Sequence, residues 1–379
     1  MILSAPKKEF RVFLQSLLSS VFLWLLLSAS AQATTALRVL LQENAKQVPV
    51  GSSTTAVVKD AQGNALGEIE GMSAFRAVGS GQGVKLGDWQ ANQLSITPRD
   101  DGYVWIGNRW YRGKVRLVNR DSNLTVINKV NLEDYLYSVV GAEMPPSWPL
   151  EALKAQAVAA RSYALHQQEN TGNGLYDVQS TTASQVYKGV NSETERTHQA
   201  VNSTEGEVLQ HNGNVILAVF HSSSGGHTEN VEDVWSSPLP YLRGVADYDQ
   251  TAPVYQWQQA FSPTAMGRRL RVGTVQEIIP QQASPQGRIR RLKVVGDRDT
   301  RTLSGDQFRH ALNLRSTLFQ VQKKSDRFVI TGRGFGHGIG LSQWGAHYLA
   351  QEGANYRQIL GHYYRQVKLA RLETDLARN

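Results

Sequence analysis

The chain has 379 residues, no cysteine and a formal net charge of +8. The lack of cysteine excludes disulfides, thiol catalysis and cysteine-ligated metal sites, so the fold must be stabilised by its hydrophobic core, which a chain of this length can bury. A modestly basic protein suits an anionic polymer. Nucleic-acid binding is disfavoured because no basic cluster interleaved with aromatic residues is present.

Residues 1–33 have the pattern of an export signal. Lys7, Lys8 and Arg11 precede an apolar run from Val12 to Leu27, and residues 31–33 (Ala-Gln-Ala) form a small-residue cleavage site. The apolar run is shorter than the roughly 20 residues that a membrane-spanning helix needs. We expect an exported protein of the periplasm or cell wall. An uncleaved signal that anchors the protein in the membrane is the alternative.

Residues 34–110 are predicted to form a small β-rich module. Short runs of β-type residues occur at 37–41, 54–58 and 104–106, and glycine-containing turns separate them. The composition offers few helical patterns. Wall binding and a spacer role are the functions that we consider for this module.

The strongest local signals lie between Val139 and Leu165. Three prolines, at 145, 146 and 149, prevent a helix up to about Trp148, and Ser147 is positioned to cap a helix that starts there. The helix itself is predicted from its alanine content, which includes Ala152, Ala155, Ala157, Ala159, Ala160 and Ala164.

Glu143 stands immediately before this proline-rich turn. A solvated loop acid is the ordinary interpretation of such a residue. Here a stiff turn beside Met144 and Trp148 favours loss of water around the carboxyl, which would raise its pKa towards the range of an acid catalyst. Glu151 is the rival acid, but its place in the first helical turn is explained by the helix dipole alone.

The run from Val139 to Pro145, followed by Trp148 to Arg161, resembles the signature of the stage II sporulation protein D / LytB family. Members of this family are peptidoglycan lytic transglycosylases or, in the LytB branch, enhancers of a wall amidase. The resemblance covers roughly Tyr111 to Leu369. It implies an α+β fold in which a mixed domain with a glycan-binding groove (residues 111–370) follows the β-rich module and precedes a charged tail (371–379).

The segment after the predicted helix departs from part of this family. Some relatives hold zinc there with cysteines and a histidine, whereas this chain has Gln179, Ser180, Ala183 and Ser184. This departure indicates that the zinc site of those relatives is lost in this chain. We expect no metal and no cofactor.

A predicted buried strand, Val215–Phe220, leads into a polar segment that begins at His221. The resemblance makes this segment a wall of the groove in which His221 and Ser223 hydrogen-bond sugar hydroxyls. A serine hydrolase using Ser223 and His221 lacks the Gly-x-Ser-x-Gly elbow. A zinc site from His221, His227 and Asp233 and a glycine-rich turn capped by its own serines remain as alternatives.

Residues 238–325 carry weaker patterns. Strands are predicted at 241–245, 288–295 and 325–331, and a helix is predicted to start near Ser304. Tyr363 and Tyr364 are predicted to lead into a short strand.

The glycine-rich run from Gly332 to Ala346 is the last strong signal. Phosphate binding is disfavoured because the spacing lacks a Walker lysine and a βαβ context. The run resembles the second hallmark of the same family. In that interpretation the loop carrying His337 passes under the site, and a helix from about Leu341 directs Gln343 and Trp344 inward.

The chemistry that the resemblance implies is cleavage of the β-1,4 bond between N-acetylmuramic acid and N-acetylglucosamine, with a 1,6-anhydro product. Most glycosidases need two carboxylates, whereas a lytic transglycosylase can use one as general acid and then as general base. We assign that role to Glu143. Substrate contacts are predicted for Arg161, Lys154, His221, Ser223, His337 and Gln343.

Two other function classes stay open. A non-catalytic enhancer would bind peptidoglycan glycan strands in the same groove and would present them to an N-acetylmuramoyl-L-alanine amidase as its partner. A structural wall-adhesion protein would bind through residues 34–118 instead.

Overall fold

The structure is a computed structural model that describes residues 35–172, 174–235 and 237–372. The predicted signal at 1–33 lies outside the described residues, as do residues 373–379 of the predicted tail. Within the described part, no helix combines the length and apolar content that a membrane crossing requires.

Strands and helices alternate irregularly, which confirms the predicted α+β class. The strands are β1 (Ala36–Ala45), β2 (Gln47–Ser52), β3 (Ala56–Lys59), β4 (Ala65–Ile69), β5 (Ala74–Ser80), β6 (Gly83–Leu86), β7 (Trp89–Ala91), β8 (Gln93–Pro98), β9 (Val104–Ile106), β10 (Arg109–Tyr111), β11 (Lys114–Arg120), β12 (Asn123–Asn131), β13 (Val178–Gln179), β14 (Glu207–His211), β15 (Asn214–Val215), β16 (Phe220–His221), β17 (Gln256–Phe261), β18 (Val275–Ala283), β19 (Ile289–Gly296), β20 (Thr300–Ser304), β21 (Phe319–Lys323), β22 (Phe328–Arg333), β23 (Leu341–Ser342) and β24 (Lys368–Arg371). The α-helices are α1 (Leu132–Glu143), α2 (Leu150–Thr171), α3 (Glu195–Asn202), α4 (Val231–Val234), α5 (Pro263–Leu270), α6 (Gly305–Leu312), α7 (Gln343–Gln351) and α8 (Tyr356–Tyr363).

A seven-stranded sheet in the order β13-β1-β12-β11-β8-β3-β4 joins the early strands to later ones. β1 pairs antiparallel with β12 and parallel with β13. Side chains from both regions, such as Leu37 and Leu153, belong to one hydrophobic core. The predicted boundary at residue 110 therefore falls inside a shared sheet and core. A six-stranded sheet in the order β10-β9-β2-β5-β6-β7 accounts for the rest of the β-rich region.

The alanine-rich helix α2 is buried in this core over most of the stretch from Ala152 to Leu165, and it packs against α1, α3, α7, α8 and β14. Its small side chains allow these neighbours to approach closely. It begins at Leu150, two residues later than Trp148, and Pro149 occupies the N-cap position without a side-chain hydrogen bond. Ser147 is therefore not the cap, because the third proline delays the helix.

A second hydrophobic core occupies residues 257–330 and includes Trp257, Leu292, Phe308 and Ile330. It is built from the three-stranded sheets β17-β22-β21 and β18-β19-β20 together with α5 and α6. The predicted start of a helix near Ser304 is confirmed, since Ser304 and Gln307 form a capping box at the start of α6. No pattern in this part of the sequence had indicated a separate core.

Three local predictions were wrong. Residues 216–219 are buried as expected except for the half-buried Leu217, but they form no continuous strand, and residues 242–245 form no strand at all. Tyr363 ends helix α8 and does not lead a strand. The N–H of Ile216 donates to the carbonyl of Leu209, and the N–H groups of Gly244 and Val245 donate to the side chains of Asn230 and Thr228, partners that a local pattern does not reveal.

Candidate functional site

Glu143 is the last residue of α1, a helix that Asn131 caps by accepting hydrogen bonds from the N–H groups of Glu133 and Asp134. The helix ends there because a proline-rich turn follows. The backbone N–H of Val186 donates to Oε1 of Glu143 at 2.7 Å. Nε2 of Gln343 donates to Oε2 at 3.3 Å. Two segments that are distant in sequence thus hold one carboxyl.

Burial raises the pKa of Glu143 above the ordinary carboxyl value. The hydrogen bonds from Val186 and Gln343 and the charge of Lys188 act in the opposite direction but do not cancel the effect of burial. In Glu151, partial burial also acts to raise the pKa, but hydrogen bonds from Lys154 and from the N–H of Tyr356 outweigh it and the pKa is lowered. Glu143 is therefore the better proton donor of the two.

The glycine-rich run brings the His221 segment beside Gln343. β16 and β23 pair in parallel with His221 opposite Ser342. The N–H of Trp344 donates to the carbonyl of Ser222 at 3.0 Å. The structure therefore places three sequence-predicted residues, His221, Gln343 and Glu143, in one continuous neighbourhood.

His337 joins His221 in this neighbourhood, with their ring centroids 5.2 Å apart. Nδ1 of His221 lies 3.1 Å from the carbonyl of Ile339, and Nε2 of His337 lies 2.9 Å from the carbonyl of Phe220. Burial lowers the pKa of His221 well below its usual value and that of His337 to about 4. Both rings are therefore neutral, and Nε2 of His221 is an acceptor without a partner among the described residues.

Exposed aromatic side chains lie beside this pair of histidines. Trp235 is 38% exposed, and its ring centroid lies 5.3 Å from that of His337. Phe335, on the glycine-rich run, is 45% exposed. Large exposed aromatic groups next to buried polar ones are typical of a ligand-binding surface.

Ser223 is fully buried, contrary to the prediction of a sugar contact. Its Oγ donates to Oδ2 of Asp249 at 2.5 Å, and Oγ of the neighbouring Ser224 donates to Oδ2 of Asp247 at 2.6 Å. Because Ser223 bonds to an aspartate and not to His221, a serine-hydrolase arrangement is not formed. Among the described residues, no group of three or more His, Asp or Glu side chains is arranged to hold a metal ion.

Arg161 is also fully buried, so the expectation that it binds substrate is not met. Its Nε and Nη2 donate to the two carboxylate oxygens of Glu133 at 2.8 and 2.6 Å, and Nη1 donates to the carbonyl of Glu207 at 3.0 Å. It joins α1 and α2 to β14. Lys154 points elsewhere and donates to Oε1 of Glu151 at 2.8 Å.

Several contributors to the site were missed in the sequence. One of them is the backbone N–H of Val186, and a backbone donor has no sequence signal. Gln156 is buried in α2 with Oε1 3.5 Å from Nε2 of Gln343. A glutamine on the buried face of an alanine-rich helix was the available signal. Asp247 and Asp249 lie where the sequence showed no pattern.

Two family models match this chain, one over the region of Glu143 and one over the region of His337. A family model described as "Stage II sporulation protein" matches residues 120–211, which include Glu143 and Val186. A second, described as "Domain of unknown function (DUF8618)", matches residues 249–340, which include the second core and His337.

Alignments with individual relatives cover a larger share of the chain than either family model does. An uncharacterized protein of Brachyspira hyodysenteriae is 36% identical over 278 residues, covering 71% of this chain and 74% of the relative. Stage II sporulation protein D of Bacillus subtilis is 34% identical over 282 residues, covering 68% of this chain and 80% of the relative. The chain belongs to the stage II sporulation protein D / LytB family. Another member, the amidase enhancer of Bacillus subtilis, is 32% identical over 288 residues, which cover 60% of this chain and 39% of that protein.

Proposed function

We propose that this family member is an exported peptidoglycan lytic transglycosylase with Glu143 as its general acid and base. The observation that carries the proposal is the position of Glu143: a carboxyl with a raised pKa, held by Val186 and by Gln343, the residue after Ser342, which pairs with His221. The bond cleaved is the β-1,4 link between N-acetylmuramic acid and N-acetylglucosamine.

The reaction needs one carboxyl in two successive roles. Protonated Glu143 gives its proton to the glycosidic oxygen while the bond from that oxygen to C1 of the muramoyl sugar breaks. The resulting carboxylate then takes the proton of the 6-hydroxyl as O6 bonds to C1. Glu143 is protonated again at the end, no water is consumed, and the product is the 1,6-anhydro sugar.

The neighbours of Glu143 suit this cycle. Gln343 and the Val186 N–H favour the carboxylate that exists between the two proton transfers, while burial favours the acid that starts the reaction. Trp235 and Phe335 offer apolar faces to sugar rings.

Substitution of Glu143 by Gln tests the assignment. Proton transfer by a positioned acid contributes roughly 10²–10⁴-fold to a rate, so Glu143→Gln should lower the release of anhydro-muropeptides from purified peptidoglycan by about that factor. The matched control is Glu151→Gln, which should keep most of the activity. Unaltered circular dichroism would show that both variants fold. Release at the wild-type rate by Glu143→Gln would refute the role of this residue.

The second candidate is a non-catalytic, glycan-binding enhancer of an N-acetylmuramoyl-L-alanine amidase. The observation that favours it is the similarity to the Bacillus subtilis amidase enhancer. An enhancer would produce no anhydro ends by itself and would accelerate an added amidase. Glu143→Gln would leave that acceleration unchanged if Glu143 is not used chemically.

A further inference from the structure

A cavity of about 460 Å³ lies where the second core meets the short helix α4. It is lined by β19, β20, the start of α6 and residues Asp233 and Val234 of α4. Cavities of this size hold small ligands or a substituent of a larger one. Nothing in the proposed catalytic cycle uses it.

Arg288 lines this cavity although its side chain is only 2% exposed. Nη2 donates to the carbonyl of Ser224 at 2.6 Å. Nε and Nη1 have no hydrogen-bond partner among the described residues. The carboxylate of Glu229 lies 3.8 Å from Nε, too far for a hydrogen bond, and accepts one from Ser284 instead. Glu229 offsets the charge of this guanidinium, but two buried donors without partners indicate an absent acceptor, because buried polar groups are normally hydrogen-bonded.

Including Arg288, the charged side chains that line the cavity are three arginines and two aspartates. Arg290 and Arg291 of β19 line it from exposed positions. The N-terminus of α6 also faces it, and such an end favours anions. Asp233 and Asp306 are the opposing carboxylates in the lining, and Asp306 lies 3.5 Å from Nε of Arg309.

The cavity adjoins the histidine pair. A Cβ built on Gly338 would lie 2.1 Å from Nη2 of Arg288, so the guanidinium packs directly on the backbone next to His337. Trp235 follows α4 and contacts His337 from the other side. Arg288 therefore connects the cavity to the segment that carries His337.

We propose that the cavity is a subsite for a carboxylate carried by the wall glycan, with Arg288 as its main ligand and Arg290 and Arg291 at its rim. This inference rests on the proposed glycan function. Every muramoyl sugar bears a lactyl group, whose carboxylate is free in peptide-free strands. In intact strands it is bound in an amide, and the attached peptide supplies its own carboxylates.

Binding measurements with three glycans of equal length distinguish these sources. The glycans are peptide-free strands, strands with intact stem peptides and chitin oligosaccharides, which carry no carboxylate. Glu143→Gln protein prevents cleavage during calorimetric titration. Tighter binding of peptide-free strands identifies the lactyl carboxylate, and tighter binding of intact strands identifies a peptide carboxylate. Equal affinity for all three would overturn the subsite.

Substitutions at the cavity test whether the preference for carboxylate-bearing glycans depends on it. In the Glu143→Gln protein, Arg288→Gln should weaken binding of the preferred glycan by roughly tenfold or more, because hydrogen bonds between charged groups are strong. Binding of chitin oligosaccharides should stay unchanged. If Arg288→Gln fails to fold, Arg291→Gln at the exposed rim should reduce the preference to a smaller extent. The matched control is Arg268→Gln, an exposed residue of α5 outside the cavity. If the preference for carboxylate-bearing glycans persists in a folded Arg288→Gln variant, the proposal is refuted. If that variant does not fold, persistence of the full preference in Arg291→Gln refutes it. Because no step depends on cleavage, this outcome is separate from failure of the proposed function.

Discussion

Two opposing influences act on the carboxyl of Glu143. Burial raises its pKa, whereas the hydrogen bonds from Val186 and Gln343 lower it. A general acid must be protonated to start the reaction, so cleavage should decline as the pH rises through this raised pKa. The strength of the hydrogen bonds sets where that decline occurs.

Gln343→Leu should therefore shift the alkaline limb of the kcat/KM profile to higher pH, because it removes an interaction that favours the carboxylate. Digestion of soluble glycan across a pH series measures the shift. Gln320→Leu, at an exposed position of β21, is the control and should leave the limb in place. If the alkaline limb of Gln343→Leu stays fixed or moves to lower pH, Gln343 does not stabilise the carboxylate form of Glu143.

Glu143 should also cost stability at neutral pH. Below the usual carboxyl pKa of about 4.3, the side chain is protonated in both the folded and the unfolded chain and carries no penalty. Above its raised folded pKa, the folded protein holds a poorly solvated carboxylate, so stability is lost as the pH rises. Glu143→Gln should accordingly melt at a higher temperature than the wild type at pH 7, and the difference should shrink towards pH 4. A variant that is less stable at pH 7 would contradict this.

At the level of single residues, the sequence predicted the poorly hydrated environment of Glu143 better than it predicted the contacts of Arg161. Glu143 could be selected because prolines and a tryptophan beside it are local features. Arg161 could not be judged in the same way, since helical spacing gives the face on which a residue lies but not what covers that face. The covering elements, α1 and β14, come from other parts of the chain.

At the level of elements, the ion pair between Arg161 and Glu133 joins α1 to α2. Arg161 is fully buried, and Glu133 supplies the countercharge. Glu133→Gln should lower the free energy of unfolding by about 3 kcal/mol, because it leaves a buried guanidinium uncompensated. Urea denaturation measures the change.

Glu151→Gln is the matched comparison for that change. Its ion pair with Lys154 is partly exposed, and pairs of this kind contribute at most about 1 kcal/mol. Equal effects of the two substitutions would contradict a structural role for the buried pair.

Among the elements, those with local determinants could be predicted. The capping box at Ser304 marked α6, and the alanine run marked α2. The irregular backbone at residues 216–219 and 242–245 could not be predicted. Its groups form hydrogen bonds with partners such as Leu209 and Asn230, which no periodicity in the sequence indicates.

At the level of the whole molecule, the early strands share a sheet and a core with the elements that carry Glu143. β1 lies between β12 and β13 in the seven-stranded sheet, and its side chains belong to the core that contains α1 and α2. Deletion of residues 34–110 should therefore prevent folding, as measured by loss of cooperative thermal unfolding and by rapid proteolysis. A truncated protein that stays folded would contradict this, and would restore the separate module that the sequence predicted.

The second core could not have been predicted from local patterns. Its strands are polar on their exposed faces, and β18 is largely exposed. Only the assembled sheets show that residues 257–330 form their own core, which supplies Arg288 to the cavity beside His337.

Incubation of the purified protein alone with purified sacculi, followed by mass spectrometry of the released fragments, tests the proposed activity most directly. The expected result is accumulation of fragments that end in 1,6-anhydro-N-acetylmuramic acid, and their loss with Glu143→Gln. If a correctly folded wild-type protein releases no anhydro ends but accelerates an added amidase, the protein is not a lytic transglycosylase.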